Sequence, residues 1–119
     1  MSKTAKCPHE SVEQEFFVNW FRAKFPSVKI FAVPNGGKRH PAVANQLKKE
    51  GVESGVPDLH VPAWSLWIEM KRQRGGTVKP NQREWLDYLI AIGHTAVVCK
   101  GAKEAMEMVT EFVEKRGQS

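Results

Sequence analysis

Two acidic side chains and a lysine lie on two short apolar segments near the middle of the chain. Asp58 follows Pro57 at the start of the first segment. Glu69 and Lys71 lie in the second segment. Buried strands rarely carry charge without a reason. If the two segments pair as neighbouring strands, Asp58 approaches Glu69, and both pKa values rise unless a cation lies between the carboxylates. Hard oxygen ligands of this kind suit Mg²⁺ or Mn²⁺.

The alternation of the second segment separates its charged side chains from its apolar ones. Successive side chains of a strand point to opposite faces. One face carries three apolar residues, Leu66, Ile68 and Met70. The other face carries Trp67, Glu69 and Lys71. A plainer interpretation is an ion pair on the solvated face of an edge strand, but the upstream Pro-Asp pair and the apolar character of both segments favour a functional site.

The whole chain has the size and composition of one small globular domain. Its 119 residues are 41% hydrophobic and 26% charged, which is ordinary for such a domain. We assign residues 1–8 to a flexible tail and residues 9–116 to a single domain. The 18 Lys and Arg residues outnumber the 13 Asp and Glu residues, which gives a net charge of +5. A basic balance favours a polyanionic partner such as nucleic acid.

The cysteines and the hydropathy point away from a zinc site, a disulfide framework and a membrane segment. Cys7 and Cys99 are far apart in sequence and form no C-x-x-C pair. We therefore expect two free thiols in a reducing cytoplasm. No apolar run reaches transmembrane length, and the N-terminus leads into no signal-peptide core.

The hydrophobic periodicity predicts eight elements in the order helix, strand, short helix, two strands, helix, strand, helix. The first helix, over residues 9–25 with Ser11 as a candidate cap, carries an apolar stripe of Phe16, Phe17, Trp20 and Phe21. The later elements are a strand over 28–33, a helix over 41–50, two strands joined by a bend at Pro62-Ala63, a helix over 80–92, a strand over 94–100 and a helix over 102–115. We expect Ile92 on the inward stripe of its helix, and we expect Val97 and Val98 to be buried. On the short helix, one face is formed by Ala42, Val43, Gln46 and Leu47. This order predicts an α/β fold with a small mixed sheet flanked by helices.

Three polar side chains of the predicted helices lie near apolar stripes. Glu13 lies four residues before Phe17, on or beside the inward stripe, and Glu10 lies nearly one turn earlier. Acids in a first turn usually offset the helix dipole, so a structural role stays open for both. Gln82 heads the inward face of the helix that begins at Pro80. A glutamine in a first turn is commonly a cap.

Three basic stretches are candidates for contact with phosphate groups. The loop P-N-G-G-K-R-H-P contains Asn35, Gly36, Gly37, Lys38 and Arg39. Its amides and cations could cradle phosphate, or it could be a solvated hairpin loop. Lys48 lies beside the face of the short helix that carries Val43 and Leu47. The glycine-rich stretch after Lys71, which holds Arg72, Arg74 and Lys79, could close over a nucleic-acid backbone or be a solvated linker. Gly55 leaves room for a close backbone approach just before the acidic segment.

The ordered set of motifs resembles a known nuclease family. Pro57-Asp58 followed by Glu69-Met70-Lys71 resembles the PD-(D/E)XK nuclease superfamily. Four stretches narrow the resemblance to the VRR-NUC family, in its small stand-alone form found in phages and bacteria: Pro34-Asn35-Gly36-Gly37, the run from Gly51 to Asp58, Ile68-Glu69-Met70-Lys71, and Gln82. The resemblance covers the chain from about Glu10 to Lys100.

The resemblance implies a restriction-endonuclease-like core and a divalent-metal-dependent endodeoxyribonuclease. Asp58 and Glu69 would bind one or two Mg²⁺ or Mn²⁺ ions, with Glu13 on or near the metal and Glu10 as the alternative acid of the first helix. The Met70 carbonyl would add a ligand. Lys71 would orient the attacking water or stabilise charge on phosphorus, and Gln82 would position water or phosphate near the metal. The basic loops would bind DNA.

The resemblance further implies structure-selective cutting of branched DNA by a homodimer, as in Holliday-junction resolvases. The place of action would be the cytoplasm, or the host cytoplasm if the protein is phage-encoded. The alternatives are a non-catalytic DNA-binding module of the same fold, a flap or other structure-specific nuclease, and an RNA-directed nuclease. The first has no need for Asp58, Glu69 and Lys71 together. Most aromatic residues fall on helical stripes, which argues against reading of single-stranded RNA.

Overall fold

The computed structural model describes residues 7–34 and 40–117 and shows the elements in the predicted order. The helices are α1 (Glu10–Lys24), α2 (Pro41–Lys49), α3 (Pro80–Ala91) and α4 (Ala102–Gly117). The strands are β1 (Phe31–Ala32), β2 (Leu59–Val61), β3 (Leu66–Lys71) and β4 (Thr95–Lys100). One turn of 3₁₀ helix, Pro62–Trp64, forms the predicted bend between β2 and β3. Of the predicted tail, residues 1–6 lie outside the described ranges.

The strands of the described chain form one mixed sheet in the order β1-β2-β3-β4. Strand β2 is antiparallel to both β1 and β3, whereas β3 and β4 are parallel. A parallel pair needs a crossover connection, and α3 supplies it between β3 and β4. The prediction of a small mixed sheet flanked by helices is confirmed.

The hydrophobic core lies between one face of the sheet and the helices α1 and α4. The inward face of β3 contributes the three apolar residues expected from its alternation, Leu66, Ile68 and Met70, all fully buried. Helix α1 contacts both α4 and β3, and α4 contacts β4. Phe17 and Phe21 of α1 and Val109 of α4 are fully buried in the same cluster. This packing fixes one face of β3 and leaves the opposite face to the charged residues.

The first strand is shorter than the predicted span of 28–33. The amide of Val28 donates to the Phe25 carbonyl at 3.0 Å, which closes a turn after α1. The Ile30 carbonyl accepts from the Arg22 guanidinium at 3.3 Å. Strand β1 therefore pairs with β2 only at Phe31 and Ala32, because the end of α1 and its turn occupy the preceding backbone groups.

Several apolar positions assigned to the core lie at the surface instead. Helix α1 buries Glu13, Phe17 and Phe21 at four-residue spacing, so Phe16 lies to one side of that stripe and is 61% exposed. Ile92 is the C-cap of α3, beyond the last turn that packs inward, and is 53% exposed. Val97 and Val98 are only partly buried because β4 is an edge strand.

Two further expectations about the helices are corrected. Helix α1 begins at Glu10, so Ser11 lies within the helix and His9 is the N-cap. Helix α2 is present as predicted, but it buries none of its residues, including Ala42, Val43, Gln46 and Leu47 on the face identified from the sequence. The faces of β3 and β4 are already contacted by the other three helices. Within the described ranges, no helix combines the length and the hydropathy that a membrane span requires.

Candidate active site

Asp58 and Glu69 face each other across neighbouring strands, as the sequence predicted. Leu59 pairs with Ile68 in the antiparallel register of β2 and β3. One step back along β2 places Asp58 opposite Glu69, and side chains opposite each other point to the same face. An Asp58 carboxylate oxygen, Oδ2, accepts a hydrogen bond from the Met70 amide at 2.7 Å. This bond fixes the aspartate against the backbone of β3.

Lys71 and Gln82 complete a hydrogen-bonded cluster with Glu69. The Lys71 ammonium lies 3.4 Å from Glu69 Oε2 and donates to Gln82 Oε1 at 2.8 Å. The Gln82 amide nitrogen donates to Glu69 Oε2 at 3.1 Å. Gln82 Oε1 also accepts from the Lys79 amide at 2.9 Å, so the same side chain caps α3. The capping and site interpretations of Gln82 thus describe one residue with two sets of contacts.

Burial makes this cluster electrostatically unusual. Glu69 and Lys71 are 1% and 5% exposed. Burial, followed by the charge of Asp58, raises the pKa of Glu69 to about 8. Burial also raises the pKa of Asp58, although the hydrogen bond from the Met70 amide opposes that shift. One buried ammonium therefore does not offset the cost of the buried Glu69 beside the half-buried Asp58, and a further cation would stabilise the ionised forms of both carboxylates.

The cluster lies in a cleft of about 500 Å³. Asp58, Glu69 and Lys71 line the cleft together with the start of α3. One wall is formed by residues 54–55, before β2, and the other by residues 75–77, after β3. Lys79 also lines it, which brings one candidate DNA-binding cation to the acidic pair. The dimensions allow a phosphodiester group to approach the carboxylates.

Gly55 is required for the wall of the cleft that precedes β2. It is buried and has a φ of +93°, a conformation that favours glycine. A Cβ at this position would lie 2.8 Å from the Asn81 carbonyl oxygen. The Asn81 side chain donates to the Ser54 hydroxyl at 3.2 Å. The close approach predicted for Gly55 is therefore made to the first turn of α3, which holds that wall against the helix carrying Gln82.

The two acids of α1 have different surroundings. Glu13 is 6% exposed, and its two carboxylate oxygens accept from the Ala102 amide at 2.9 Å and the Gln73 side chain at 2.7 Å. These bonds tie α1 to the start of α4. Glu10 instead lines the cleft, and its charge raises the pKa of Asp58. The structure brings Glu10, rather than the favoured Glu13, to the acidic pair.

The remaining candidate residues are dispersed. Asn35, Gly36, Gly37, Lys38 and Arg39 lie outside the described ranges. Lys48 is exposed in the last turn of α2. The Arg72 guanidinium donates to the Cys7 carbonyl at 3.3 Å. The Cys7 thiol donates to the backbone carbonyl of Arg74 at 4.0 Å. Arg72 and Arg74 are exposed and do not line the cleft.

Sequence reasoning missed two residues that shape the site. Gln73 anchors the segment after β3 to Glu13, and Asn81 holds Ser54. Neither has a spacing signal, because each contacts residues that are distant in sequence. Glu10 carried a weak signal as an acid of the first turn, but only the position of α1 on the sheet separates it from Glu13.

The chemistry of the donor set is compatible with a hard divalent cation. Among residues 7–34 and 40–117, no three His, Cys, Asp or Glu side chains form a group that could hold a metal ion alone. Magnesium sites commonly use one or two carboxylates, with water and substrate phosphate supplying the other oxygens. Asp58 and Glu69 fit that pattern, because they are two carboxylates whose pKa values are raised by burial and by neighbouring negative charge, and a cation would favour their ionised forms.

Comparisons with known proteins identify the family and a similar fold. A family model described as the VRR-NUC domain matches residues 2–103. A solved structure described as a VRR_NUC domain protein is similar, with 25% sequence identity, a TM-score of 0.74, and coverage of 92% of this chain and 91% of that chain. No curated protein matches the chain. The fold and the site thus define a nuclease-family domain. The chain belongs to the VRR-NUC family.

Proposed function

We propose that this protein is a divalent-metal-dependent endodeoxyribonuclease that hydrolyses phosphodiester bonds. The observation that carries the proposal is the cluster of Asp58, Glu69, Lys71 and Gln82 in one cleft, built from two paired strands and the first turn of α3. A binding module would gain no stability from a buried glutamate with a pKa of about 8. A glutamate with a strongly raised pKa in a cleft favours a role in chemistry.

Asp58 and Glu69 are the residues that would hold Mg²⁺ or Mn²⁺. We add Glu10 near the metal in place of Glu13, because both oxygens of Glu13 are already bonded to other groups. We also propose the Met70 carbonyl as a ligand. In a strand, the amide and carbonyl of one residue point to the same side, and the Met70 amide already points to Asp58. A bound divalent ion would lower the pKa of a water molecule and neutralise charge on the phosphate.

Lys71 and Gln82 position the reacting groups. Water attacks phosphorus and releases a proton to solvent, a new P–O bond forms, and the opposite P–O ester bond breaks, with the departing strand-end oxygen taking up a proton from solvent. The Lys71 ammonium, held by Gln82, can donate to the attacking water or to a phosphoryl oxygen as charge develops. Gln82 can exchange one of its present contacts for water or phosphate. Lys79, on the cleft, supplies positive charge for the DNA backbone.

We further propose branched DNA as the substrate and a homodimer as the active form. Symmetric cutting of two strands needs two sites related by a two-fold axis. Arg72, Arg74 and Lys48 would bind DNA away from the cleft, where positive charge supports affinity without sequence reading. We propose the same role for Asn35, Gly36, Gly37, Lys38 and Arg39. Cys7 and Cys99 are free thiols, which supports action in a reducing cytoplasm.

The deciding experiment is cleavage of a labelled four-way junction beside duplex, flap and single-stranded controls. Each is incubated with Mg²⁺, Mn²⁺ or EDTA, using the wild type, Glu69→Gln, and the matched control Glu107→Gln on the exposed side of α4. We expect metal-dependent, symmetric junction cutting that falls at least about 100-fold in Glu69→Gln and is unchanged in the control. Light scattering measures whether the active species is a dimer.

Each outcome decides part of the proposal. A wild type that binds junctions yet cuts no DNA with either metal would replace the enzyme by a non-catalytic DNA-binding module. Cutting of flaps but not junctions would keep the chemistry and reject the resolvase-like substrate. A monomeric mass with full activity would reject the homodimer.

A further inference from the structure

Three aromatic side chains form a row beside the acidic pair, on the same face of the sheet. Phe31 pairs with His60 across β1 and β2, and His60 pairs with Trp67 across β2 and β3. His60 follows Asp58 by two residues, and Trp67 precedes Glu69 by two. Residues two apart on a strand share a face and are separated by about 7 Å. The aromatic row therefore lies directly next to the acidic row.

The rings of this aromatic row are held in fixed positions. The His60 and Trp67 rings stack with their centroids 3.7 Å apart and their planes 20° from parallel. Phe31 lies edge-on to His60 at 5.5 Å. His60 Nδ1 lies 3.0 Å from the Leu66 carbonyl oxygen, and the Trp67 indole N–H donates to His94 Nδ1 at 3.0 Å. A prearranged ring surface loses little conformational entropy when a flat ligand binds to it.

The outer end of the row is open to solvent, and its surroundings contain two cations, Arg22 and Lys29, and one carboxylate, Glu15. Phe31 is 46% exposed. It lines a groove shared with Arg22 and Lys29. Helix α3 lies on the same face of the sheet, but it contacts β4. Strand β4 is at the edge of the sheet opposite β1, which carries Phe31. An aromatic surface beside cations matches single-stranded nucleic acid, in which bases stack on rings and phosphates meet cations.

We infer that the aromatic row of Phe31, His60 and Trp67 binds an unpaired nucleotide next to the scissile phosphodiester, so that the site selects DNA with locally unpaired strands. This inference rests on the proposed function and specifies its substrate. In a duplex, each base face is covered by its neighbours, whereas a base at a branch or flap can leave the stack. With the phosphate at Asp58 and Glu69, the adjacent row offers a ring surface to the next nucleotide of the same strand.

The test measures binding separately from cutting. Junction, flap and duplex DNA carry 2-aminopurine at successive positions around the cleavage point, and its fluorescence is followed in EDTA so that strands stay intact. Phe31→Leu keeps the apolar character without the ring, Phe31→Tyr keeps the ring, and Phe16→Leu removes an exposed ring on α1 as a control. Because Phe31 is half exposed, we expect all three variants to fold, which thermal unfolding verifies.

We expect quenching of one 2-aminopurine position next to the cleavage point with branched DNA. Phe31→Leu should abolish the quenching and weaken binding of branched DNA about five-fold or more. Its affinity for duplex should stay within about two-fold, and Phe31→Tyr and Phe16→Leu should behave as wild type. Equal losses on duplex and branched DNA, or no loss on either, would overturn the inference. Conversion of a dimer to a monomer by Phe31→Leu would also overturn it, because the row would then be a surface between two copies.

These failures are distinguishable from failure of the proposed function. A wild type that cuts branched DNA, with selectivity unchanged in Phe31→Leu, keeps the nuclease and rejects the role of the row. A wild type that neither binds nor cuts DNA rejects both.

Discussion

The acidic pair of Asp58 and Glu69 should make the metal-free protein less stable as pH rises. The folded-state pKa of Glu69 is about 8, above its ordinary value of 4.5, and that of Asp58 is also raised. When the pH lies between 4.5 and about 8, Glu69 of the folded protein holds a proton that the unfolded chain has released. The free energy of unfolding then falls with increasing pH, which is opposite in sign to the usual behaviour of salt-bridged carboxylates.

The size of this effect follows from the pKa difference. A shift from 4.5 to about 8 corresponds to a ceiling of roughly 5 kcal/mol, at about 1.4 kcal/mol for each pKa unit. The cleft admits water, and the two carboxylates share one coupled titration, so the realised value is smaller. We expect a loss of about 1–3 kcal/mol between pH 5 and pH 8.5. For a chain of this length, that is about 4–12 °C in Tm.

The assay is thermal unfolding in EDTA at half-unit pH steps, followed by titration with Mg²⁺ or Mn²⁺. Glu69→Gln replaces the carboxylate by a neutral group of nearly equal shape, so its Tm should depend less on pH and exceed that of wild type above pH 8. Added metal should raise the Tm of wild type by binding the folded state alone, and should raise that of Glu69→Gln much less. The control Glu107→Gln, exposed on α4, should follow wild type throughout.

Two results would refute this reasoning. If the wild type in EDTA gained stability from pH 5 to pH 8.5, the carboxylates would be better compensated by Lys71 than the structure indicates. If Glu69→Gln kept the full metal-induced increase in Tm, the ion would bind elsewhere.

Three further predictions concern residues around the acidic pair. Gln82→Ala should reduce the cleavage rate about 10- to 100-fold and lower stability by about 1 kcal/mol, because it removes both the site contacts and a helix cap; an unchanged rate would leave only the capping role. Gly55→Ala should cost about 2–4 kcal/mol in chemical denaturation and Gly51→Ala about 1–2, because both have positive φ but only Gly55 approaches another backbone closely; equal losses would contradict this. Glu13→Ala should cost about 2 kcal/mol of stability and leave metal affinity unchanged, whereas Glu10→Ala should weaken metal binding and leave stability unchanged. Calorimetry with Mn²⁺ measures the metal affinities. The reversed pattern would restore Glu13 as the metal-site acid.

The sequence predicted the centre of the sheet because the information there is local. Alternation along residues 66–71 placed Glu69 and Lys71 on one face, and pairing of the two segments was expected to bring Asp58 near Glu69. The structure adds the register, which follows from which face is buried. The first strand was predicted too long, because the competing bonds of Arg22 and Val28 come from the end of α1 and its turn. Apolar alternation alone does not show which backbone groups a neighbouring helix has already taken.

The different surroundings of the two helical acids could not be predicted from sequence for a related reason. Glu10 and Glu13 lie within one turn, and the resemblance of the Glu13-Gln14 pair to the family's pattern placed Glu13 first. Glu13 also lies on or beside the apolar stripe. That position buries its carboxylate, and a buried carboxylate needs hydrogen-bond donors. The amide of Ala102 and the side chain of Gln73 supply them. Their sequence separations from Glu13 are 89 and 60 residues, so nothing local to α1 signals the contacts.

The arrangement separates stability from chemistry across the two faces of β3. Phe17 and Phe21 of α1 pack with Val109 of α4 against the apolar face, and this face supplies the core. The opposite face can then carry an acidic pair that destabilises the metal-free fold. Lys71 and Gln82 reduce that cost without removing it, since the pKa of Glu69 stays near 8. A site that fully neutralised its own carboxylates would gain less from binding a divalent ion. The negative charge of Asp58 and Glu69 that Lys71 leaves uncompensated is therefore the reason to expect that metal binding and catalysis depend on the same residues.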